Sequence, residues 1–568
     1  MIEDPGSLPA TALRDPADVM RLARLGSFHQ TRLSFMRALL RRIKREGWRF
    51  DRPLWRVDAE GVGVAVYALK TPQRTYSLIA YAHDLAPELR TDRVIAEAWD
   101  ATFALFDGVP SEADIERLSH QVPKQEAGRY LSSELVLSRA NKSVRLFEHV
   151  VSRLAEGRQP EPEQIEAVGY LMRTTAVYGN GKFGIADREC IAARPELAGP
   201  FRAEMLTVWL IRAFTIDLAE HLARVRGGDH AVGLDPAIRR RLGVGNSTGL
   251  GMAPFLVNHP TLFHSWIRAR EQALARVRAQ PEATSETAES FRGFVRRAAR
   301  LAREWRTADA LQAQRIEQLR ADLARLEARL EDEGLSGARP WDALYRWAES
   351  VLSLEGQEMT VALMLEPHGG LIDALTAEMR VDEDEAFPID GSQSISEMRA
   401  MIAAACPWAF EPDFGTAPES ARFWYFSEEK LEPRLGERDR DAGDALEEPL
   451  ATARDIGRFD AALAVEPDPN ARLAGFLLRH PEHRHVARRV QIAAGHPYSE
   501  IRDNLIGAEL RAIDLLRCKL SFFGATKFDP KSDRWVRITM YQDAPHPDEI
   551  HALPADDWAY PASEAAAP

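Results

Sequence analysis

The sequence lacks most of the features that identify a secreted, membrane or redox protein. Its only cysteines, Cys190, Cys406 and Cys518, are far apart and form no Cys-x-x-Cys pair. That spacing predicts neither a disulfide framework nor a zinc knuckle, but buried free thiols in a reducing compartment. No run reaches the roughly 18 apolar residues of a membrane span, and the acidic N-terminus has no signal-peptide pattern. We therefore expect a cytoplasmic protein with no membrane partner.

An excess of basic charge is also missing. The formal net charge is −13, from 86 acidic and 73 basic residues. Nucleic-acid binders usually carry a basic excess or a basic face, so we expect no nucleic-acid partner. No Gly-x-x-x-x-Gly-Lys-Ser/Thr loop is present, which argues against a P-loop enzyme. The 45% hydrophobic and 28% charged residues are typical of a globular protein.

The spacing of the apolar residues favours helices over most of the chain. Helical periodicity predicts helices over 17–47, 93–107, 112–119, 127–156, 162–177, 199–225 and 341–352, and one long helix or a helical hairpin over 285–333. Alternating residues on both sides of Lys70-Thr71-Pro72-Gln73 predict an antiparallel hairpin over 62–82. Met359–Leu365, Arg422–Phe426 and Trp535–Tyr541 are expected to be strands, and the charged stretch 431–450 a loop or linker.

These patterns predict a mainly α chain with small antiparallel β-sheets, that is, an α+β fold with a multi-helix core. Four segments are expected: 1–84, an N-terminal helix plus β-hairpin; 85–284, a helical domain with a candidate ligand pocket; 285–334, the long helix or coiled-coil-like hairpin; and 335–568, a C-terminal α+β domain.

The long helical segment contains an apolar seam. Its members are spaced by three and four residues: Ile316, Leu319, Leu323, Leu326 and Leu330. About two heptads are fewer than a free coiled coil needs. The seam therefore predicts packing either on its own domain or on a second copy of the chain, and a homo-oligomer is expected.

Several sequence motifs match known catalytic or ligand-binding patterns, but the residues around them do not fit those patterns. Gly245–Gly251 has the Gly-x-x-x-Gly-x-Gly spacing of a dinucleotide-binding loop, and it contains the Gly-x-Ser-x-Gly sequence of a hydrolase around Ser247. Both motifs require a buried strand directly before them, and the Arg-rich residues at that place do not predict one. Tyr178 and Lys182 have the Tyr-x-x-x-Lys spacing, but the intervening glycines favour a turn. His480, His483 and His485 lie close together without a carboxylate that completes a metal-ligand spacing. We expect no metal site from these residues, and the sequence identifies no cofactor.

Three polar segments remain as candidates for a binding site: 138–143, 173–184 and 245–251. Each combines basic or amide side chains with residues that expose backbone N–H groups, which suits a carboxylate or phosphate. We expect them to meet in one pocket between helices. The candidate substrate-binding residues are Arg139, Lys142, Arg173, Tyr178, Asn180, Asn246, Ser247 and Thr248.

Two functions follow as hypotheses. The first is an enzyme, of lyase or isomerase type, that acts on a small anionic metabolite by general acid–base chemistry with His259, His264 and Lys182 as catalytic residues. The second is a non-catalytic helical scaffold or assembly protein that oligomerises through the 316–330 seam.

Overall fold

The computed structural model describes the chain in blocks: residues 12–89, 98–122, 131–175, 191, 193–249, 256–257, 259–305, 310–380, 387–411, 423–427, 432–436, 445–446, 452–503, 511–524, 527–530 and 535–553. The chain forms two units, and each is discontinuous in sequence. Unit 1 comprises Met1–Phe28, Gly249–Arg292 and Ala321–Cys518; unit 2 comprises His29–Thr248, Gly293–Arg320 and Lys519–Pro568.

Within the described residues, twelve strands form two sheets. The strands are β1 (Arg49–Val57), β2 (Gly63–Lys70), β3 (Thr75–Ala82), β4 (Ala101–Asp107), β5 (Glu134–Lys142), β6 (Tyr170–Thr174), β7 (Gly243–Gly249), β8 (Phe423–Ser427), β9 (Glu432–Gly436), β10 (Ala445–Leu446), β11 (Lys527–Pro530) and β12 (Trp535–Met540). Unit 2 holds a nine-stranded sheet in the order β1-β2-β3-β4-β5-β6-β7-β12-β11, and unit 1 holds a three-stranded sheet in the order β10-β8-β9.

The expectation of small sheets is therefore wrong, although an α+β description still applies. The nine-stranded sheet is antiparallel from β1 to β6, and β6 then pairs in parallel with β7. The hairpin over 62–82 is confirmed as β2 and β3. It is one part of a sheet whose other strands the sequence analysis assigned largely to helices.

The helices are α1 (Pro16–Val19), α2 (Phe35–Arg45), α3 (Glu112–Gln121), α4 (Phe147–Ala155), α5 (Pro162–Val168), α6 (Arg202–Gly227), α7 (Pro236–Arg241), α8 (Pro260–Arg278), α9 (Ser285–Glu304), α10 (Ala310–Asp332), α11 (Pro340–Val351), α12 (Leu354–Met364), α13 (Gly369–Ile372), α14 (Ile395–Ala405), α15 (Thr452–Ala464), α16 (Leu473–Arg479), α17 (Arg484–Gly495) and α18 (Ala512–Cys518). A short π-helix, Lys519–Phe523, follows α18. Short 3₁₀ turns lie at Leu22–Arg24, Pro87–Leu89, Gly228–His230, Glu366–His368, Asp373–Ala377, Pro407–Phe410 and Pro481–His483.

The strands β4, β5 and β6 were wrongly expected to lie in helices over 93–107, 127–156 and 162–177. Each of the three is buried along nearly its whole length. A strand covered on both faces has no alternation of apolar and polar residues, so its sequence resembles that of a buried helix. The opposite error occurs at Met359–Leu365, most of which belongs to the buried helix α12 instead of a strand.

Helices cover both faces of the large sheet in unit 2. On one face, α6 packs through Phe214, whose ring lies 5.6 Å from that of Phe103 in β4. On the other face, Ile115 and Leu118 of α3 and Val122 at its end form an apolar cluster with residues at alternate positions of the strands. The strand residues are Val66, Ile79, Tyr81, Ala104, Phe106 and Leu137. The sheet is therefore a central layer, and any group on its faces is shielded where these helices lie.

Unit 1 is mainly helical and contains a buried ion network. Arg14 donates to Glu271 at 2.7 Å and to Glu358 at 2.7 Å, and Arg270 donates to Glu271 at 3.0 Å. Burial alone would raise the pKa of Glu271, but Arg14 and Arg270 outweigh it and lower that pKa to about 2. The N-terminal segment is thus fixed to α8 and α12 by paired charges.

The predicted helical hairpin over 285–333 is present as α9 and α10. The five seam residues, Ile316, Leu319, Leu323, Leu326 and Leu330, are each at most 4% exposed in the single chain. The chain itself buries this seam. Of the two packing options that the sequence left open, the structure favours packing within the chain.

Close approach of the backbone explains glycine at the start of β7. A Cβ on Gly243 would lie 2.3 Å from the carbonyl oxygen of Met540, and one on Gly245 would lie 2.7 Å from the ring of Tyr170. Both distances are far below van der Waals contact. β7 can therefore fit between β6 and β12 only with glycine at these positions.

We predict opposite effects for two Gly→Ala substitutions. Gly243→Ala forces β7 away from β12, so we expect a loss of stability of about 1–3 kcal/mol, the usual result of overpacking. Gly293→Ala in the interior of α9 meets no atom within 4 Å, so we expect a gain of about 0.5–1 kcal/mol from helix propensity. Chemical denaturation measures both. Equal effects of the two changes would contradict the close packing of β7.

Candidate functional site

The three polar segments singled out in the sequence lie on neighbouring strands of unit 2. Ala140 in β5 is opposite Thr174 in β6, and Asn141 is opposite Arg173. Arg173 is in turn paired with Gly245 in β7. Neighbouring strands are about 4.8 Å apart, so the described parts of these segments lie side by side. The surrounding structure is a sheet, and the expectation of a pocket between helices is wrong.

Strand register places a row of polar residues on one face of this sheet. Thr102 in β4 is opposite both Tyr81 in β3 and Arg139 in β5. Side chains alternate between faces along a strand, so Arg139 and Asn141 share the face of Thr102, and Arg173 joins them through its pairing with Asn141. The same face carries the apolar cluster under α3, which includes Leu137, two residues before Arg139.

His83 extends this row beyond the end of β3. Its backbone N–H donates to the carbonyl of Asp100, which continues the ladder between β3 and β4. Its Nε2 lies 2.8 Å from the hydroxyl of Thr102. Burial lowers the pKa of His83 below its ordinary value, and the nearby Asp100 carboxylate opposes that shift. The imidazole is therefore mainly neutral near pH 7 and can accept a proton.

Arg139 and Lys142 differ in their surroundings. The Arg139 guanidinium lies over the ring of Trp99, 5.3 Å from its centroid, and its backbone N–H donates to the Thr175 hydroxyl at 3.1 Å. Lys142 is on the opposite face by alternation. Its Nζ is 4.0 Å from the Asp100 carboxylate and 5.0 Å from the centroid of the Phe147 ring. Lys142 thus lies within ion-pairing distance of Asp100, and Arg139 is the better positioned of the two to meet a ligand on the His83 face.

Asn246 is buried in β7 and holds a lysine that the sequence analysis missed. Its Nδ2 donates to the carbonyl of Thr174 at 2.8 Å, which leaves its Oδ1 to accept from Lys519 Nζ at 2.9 Å. The hydroxyls of Thr174 and Ser138 are 2.7 Å apart. Burial lowers the pKa of Lys519 to about 7.

The remaining candidate binding and catalytic residues of unit 2 lie either in β7 or outside the described residues. Ser247 and Thr248 lie in β7, so the Gly-x-Ser-x-Gly sequence is part of a strand and not the strand-to-helix turn of a hydrolase. Tyr178, Asn180 and Lys182 lie outside the described residues. Their proposed roles stay predictions.

The two predicted catalytic histidines belong to the region that starts α8, and His264 lies in unit 1. His259 is at the N-cap position of α8. His264 Nδ1 accepts the backbone N–H of Tyr498 at 3.1 Å, and its ring packs 4.8 Å from that of His496. Burial, with smaller effects of His496 and Arg268, lowers the pKa of His264 to about 4. These contacts give His264 a structural role within unit 1.

The sequence contains indications of two residues, Lys519 and His83, that were not selected as candidates. Lys519 is a lysine within Leu515–Phe523, a stretch that is otherwise largely apolar, and a charged residue in such a stretch is rarely buried without a reason. His83 follows the alternating residues of β3 and continues the phase of Ile79 and Tyr81. Neither signal indicates a partner, because the partners come from distant strands.

We predict that His264 makes unit 1 sensitive to acid. Its pKa is about 4 in the folded chain and about 6.5 when unfolded, so below pH 6.5 the unfolded chain binds the extra proton first. Stability is then lost as the pH falls from about 6.5 towards 4. His264→Asn keeps an acceptor for Tyr498 without a titrating group, so unfolding midpoints at pH 7 and 4.5 should differ less than in the parent chain. His485→Asn, at an exposed position of the same unit, should leave that difference unchanged; an equal effect of both variants would refute the prediction.

Comparisons with known proteins add no relative: no family model, no curated protein and no solved structure matches the chain. Within the described ranges, no group of three or more His, Cys, Asp or Glu side chains could hold a metal ion. Of the helices in those ranges, none has both the length and the apolar character to cross a bilayer.

Proposed function

We propose that this chain is an enzyme that binds a small anionic metabolite, a carboxylate or a phosphate, and acts on it by general acid–base chemistry of lyase or isomerase type. The observation that carries the proposal is the shared sheet face of Arg139, Arg173 and His83 in unit 2. Two arginines on one face can neutralise an anion, and a neutral imidazole beside them can move a proton.

The spacing of the two arginines supports an anion subsite. Asn141 is directly opposite Arg173, and Arg139 is two residues before Asn141. Such diagonal neighbours are about 7–8 Å apart, so the ends of both guanidinium groups can reach one carboxylate or phosphate group. The Trp99 ring beside Arg139 restricts the orientation of that guanidinium.

The contact with Thr102 supports an acid–base role for His83. If Nε2–H donates to the Thr102 hydroxyl, Nδ1 carries the lone pair and accepts a proton from the substrate. Asp100, beside His83 in the sheet, favours the imidazolium that this transfer produces. In this proposal His83 takes the catalytic role that the sequence analysis gave to His259 and His264.

The scaffold alternative is less well supported. It requires the 316–330 seam to meet another molecule, and these residues are buried in the single chain. A homo-oligomer would need a different surface. A cytoplasmic location stays part of the proposal and is consistent with Cys406 and Cys518, which are buried free thiols.

We predict that the two arginines carry anion binding. Arg139→Met and Arg173→Met should each weaken binding of a probe set (inorganic phosphate, succinate and malate), measured by calorimetry, at least tenfold, because a hydrogen bond to a charged group is worth about 1.5–3 kcal/mol. Arg226→Met, at an exposed position on α6 beside Glu148, is the control and should bind as the parent does. Parent-like affinity in both site variants for every anion that binds would refute the subsite.

Turnover is tested separately by proton exchange. The protein is incubated in D₂O with a mixture of small carboxylates and phosphate esters, and mass spectrometry detects deuterium incorporation. We expect incorporation into at least one compound, and its loss in His83→Asn with anion binding retained. Anion binding without any His83-dependent exchange would make this chain a binding protein and refute the enzymatic part of the proposal.

A further inference from the structure

Trp99 is a partly exposed aromatic residue beside the candidate site of unit 2. It precedes strand β4 by two residues. The Arg139 guanidinium lies 5.3 Å from the centroid of its ring. His83 donates its backbone N–H to the carbonyl of Asp100, the residue that directly follows Trp99. The indole is therefore close to both the basic and the imidazole side chains of the site, and part of its surface is accessible to a ligand.

The side chain of Asn141 fixes the backbone on both sides of Trp99. Its Nδ2 donates to the carbonyl of Ala98 at 3.0 Å, and its Oδ1 accepts the backbone N–H of Asp100 at 2.9 Å. Asn141 is only 4% exposed, so both hydrogen bonds are shielded from water. A single amide group can donate and accept at the same time, and here it holds the short segment that has Trp99 at its centre.

Two further hydrogen bonds hold the residue after Trp99. The Asp100 carboxylate accepts the backbone N–H of Lys142 at 2.9 Å, and the Asp100 carbonyl accepts the backbone N–H of His83 at 2.9 Å. Asp100 is thus tied to β5 and to the end of β3. An aromatic side chain on a backbone that is fixed in this way loses little freedom when a ligand binds, and such preorganisation increases affinity.

An indole beside a guanidinium suits a ligand that has an anionic part and a flat apolar part. The guanidinium forms charge-assisted hydrogen bonds with the anionic part. The indole offers a surface on which another π-system packs in an offset-stacked or edge-to-face arrangement. Binding sites typically combine aromatic side chains with a few polar groups in this manner. An aliphatic anion gains the ionic contact without the aromatic one, so this pair of side chains favours a conjugated anion.

We propose that Trp99 determines the specificity of this site and that the substrate is an aromatic carboxylate whose ring packs against the indole. The carboxylate of this substrate meets Arg139 and Arg173, so the inference rests on the proposed anion subsite. It narrows the ligand of that subsite from any small carboxylate or phosphate to a planar, conjugated carboxylate. If Trp99 only oriented Arg139, its loss would weaken the binding of every anion alike, whereas a specificity role affects aromatic anions alone.

The test compares benzoate with cyclohexanecarboxylate, which has the same charge and a similar size but no π-system. Calorimetry on the full-length protein measures both affinities. We expect benzoate to bind about 2–10-fold more tightly, which is the usual effect of an aromatic pair beyond its buried area. Trp99→Leu should lose or reverse this preference, because a purely apolar contact favours the cyclohexyl acid with its larger apolar surface. Trp99→Phe should retain the preference. Trp55→Leu is the control, since the Trp55 ring lies 4.7 Å from the Arg52 guanidinium on β1, outside the site, and it should bind as the parent does.

The outcomes separate this inference from the anion subsite on which it rests. Binding of succinate or phosphate without a preference for benzoate, or an unchanged preference in Trp99→Leu, would overturn the role of Trp99 while the subsite stands. An equal loss of affinity for both acids in Trp99→Leu would also overturn it. Binding of no anion to the parent chain would refute the subsite and this inference together.

Tryptophan fluorescence decides the matter if Trp99→Leu does not fold. Benzoate should change the emission of the parent chain, and the change should be smaller in Trp99→Phe, because the indole that contacts the ligand is then missing. Equal changes in the two proteins would contradict the contact between Trp99 and the ligand.

Discussion

The arrangement of unit 2 depends on one buried guanidinium. Arg212 in α6 donates to the backbone carbonyls of Leu242, Ala544 and Arg240 at 2.6, 2.7 and 2.7 Å. Leu242 directly precedes β7, and Ala544 follows β12, so one side chain fixes the start of β7 and the end of β12 against the helix that covers the sheet. Burial lowers the pKa of Arg212 to about 9, and the carbonyl dipoles take the place of the water that the cation loses. The position of Asn246, and of the lysine that it holds, follows from this constraint.

The sequence predicted the local parts of the fold and missed the part built by distant pairing. The hairpin of β2 and β3, the helix pair of α9 and α10, and strand β12 all follow from patterns within a few residues. β4 and β5 are buried on both faces, and their sequences, such as Phe103–Phe106, carry no alternation that would distinguish a strand from a buried helix. Only the pairing of β3 with β4 and of β5 with β6 identifies them as strands, and a sequence does not display its pairing partners.

Prediction of the candidate site from the sequence was limited in the same way. Arg139, Arg173 and Asn246 could be selected because Gly, Asn and basic residues stand out in otherwise apolar segments, and their strands prove to be neighbours. The reason given for their proximity was wrong, since a sheet and not a helical pocket joins them. His83 and Lys519 could not be connected with these residues, because the links run through Thr102 and Asn246 on other strands. Residue type indicates what chemistry is possible, and strand register decides which groups share a face.

Two buried cationic sites, one in each unit, differ in the groups that meet the charge. In unit 1, Arg14 and Arg270 meet the carboxylates of Glu271 and Glu358, so the attraction between charges offsets desolvation. In unit 2, Lys519 donates to the amide oxygen of Asn246, and burial lowers its pKa to about 7. A paired network holds its charge over a wide pH range and serves as a fixed support. At Lys519 the loss of hydration on burial disfavours the ammonium and lowers its pKa, which costs stability at neutral pH.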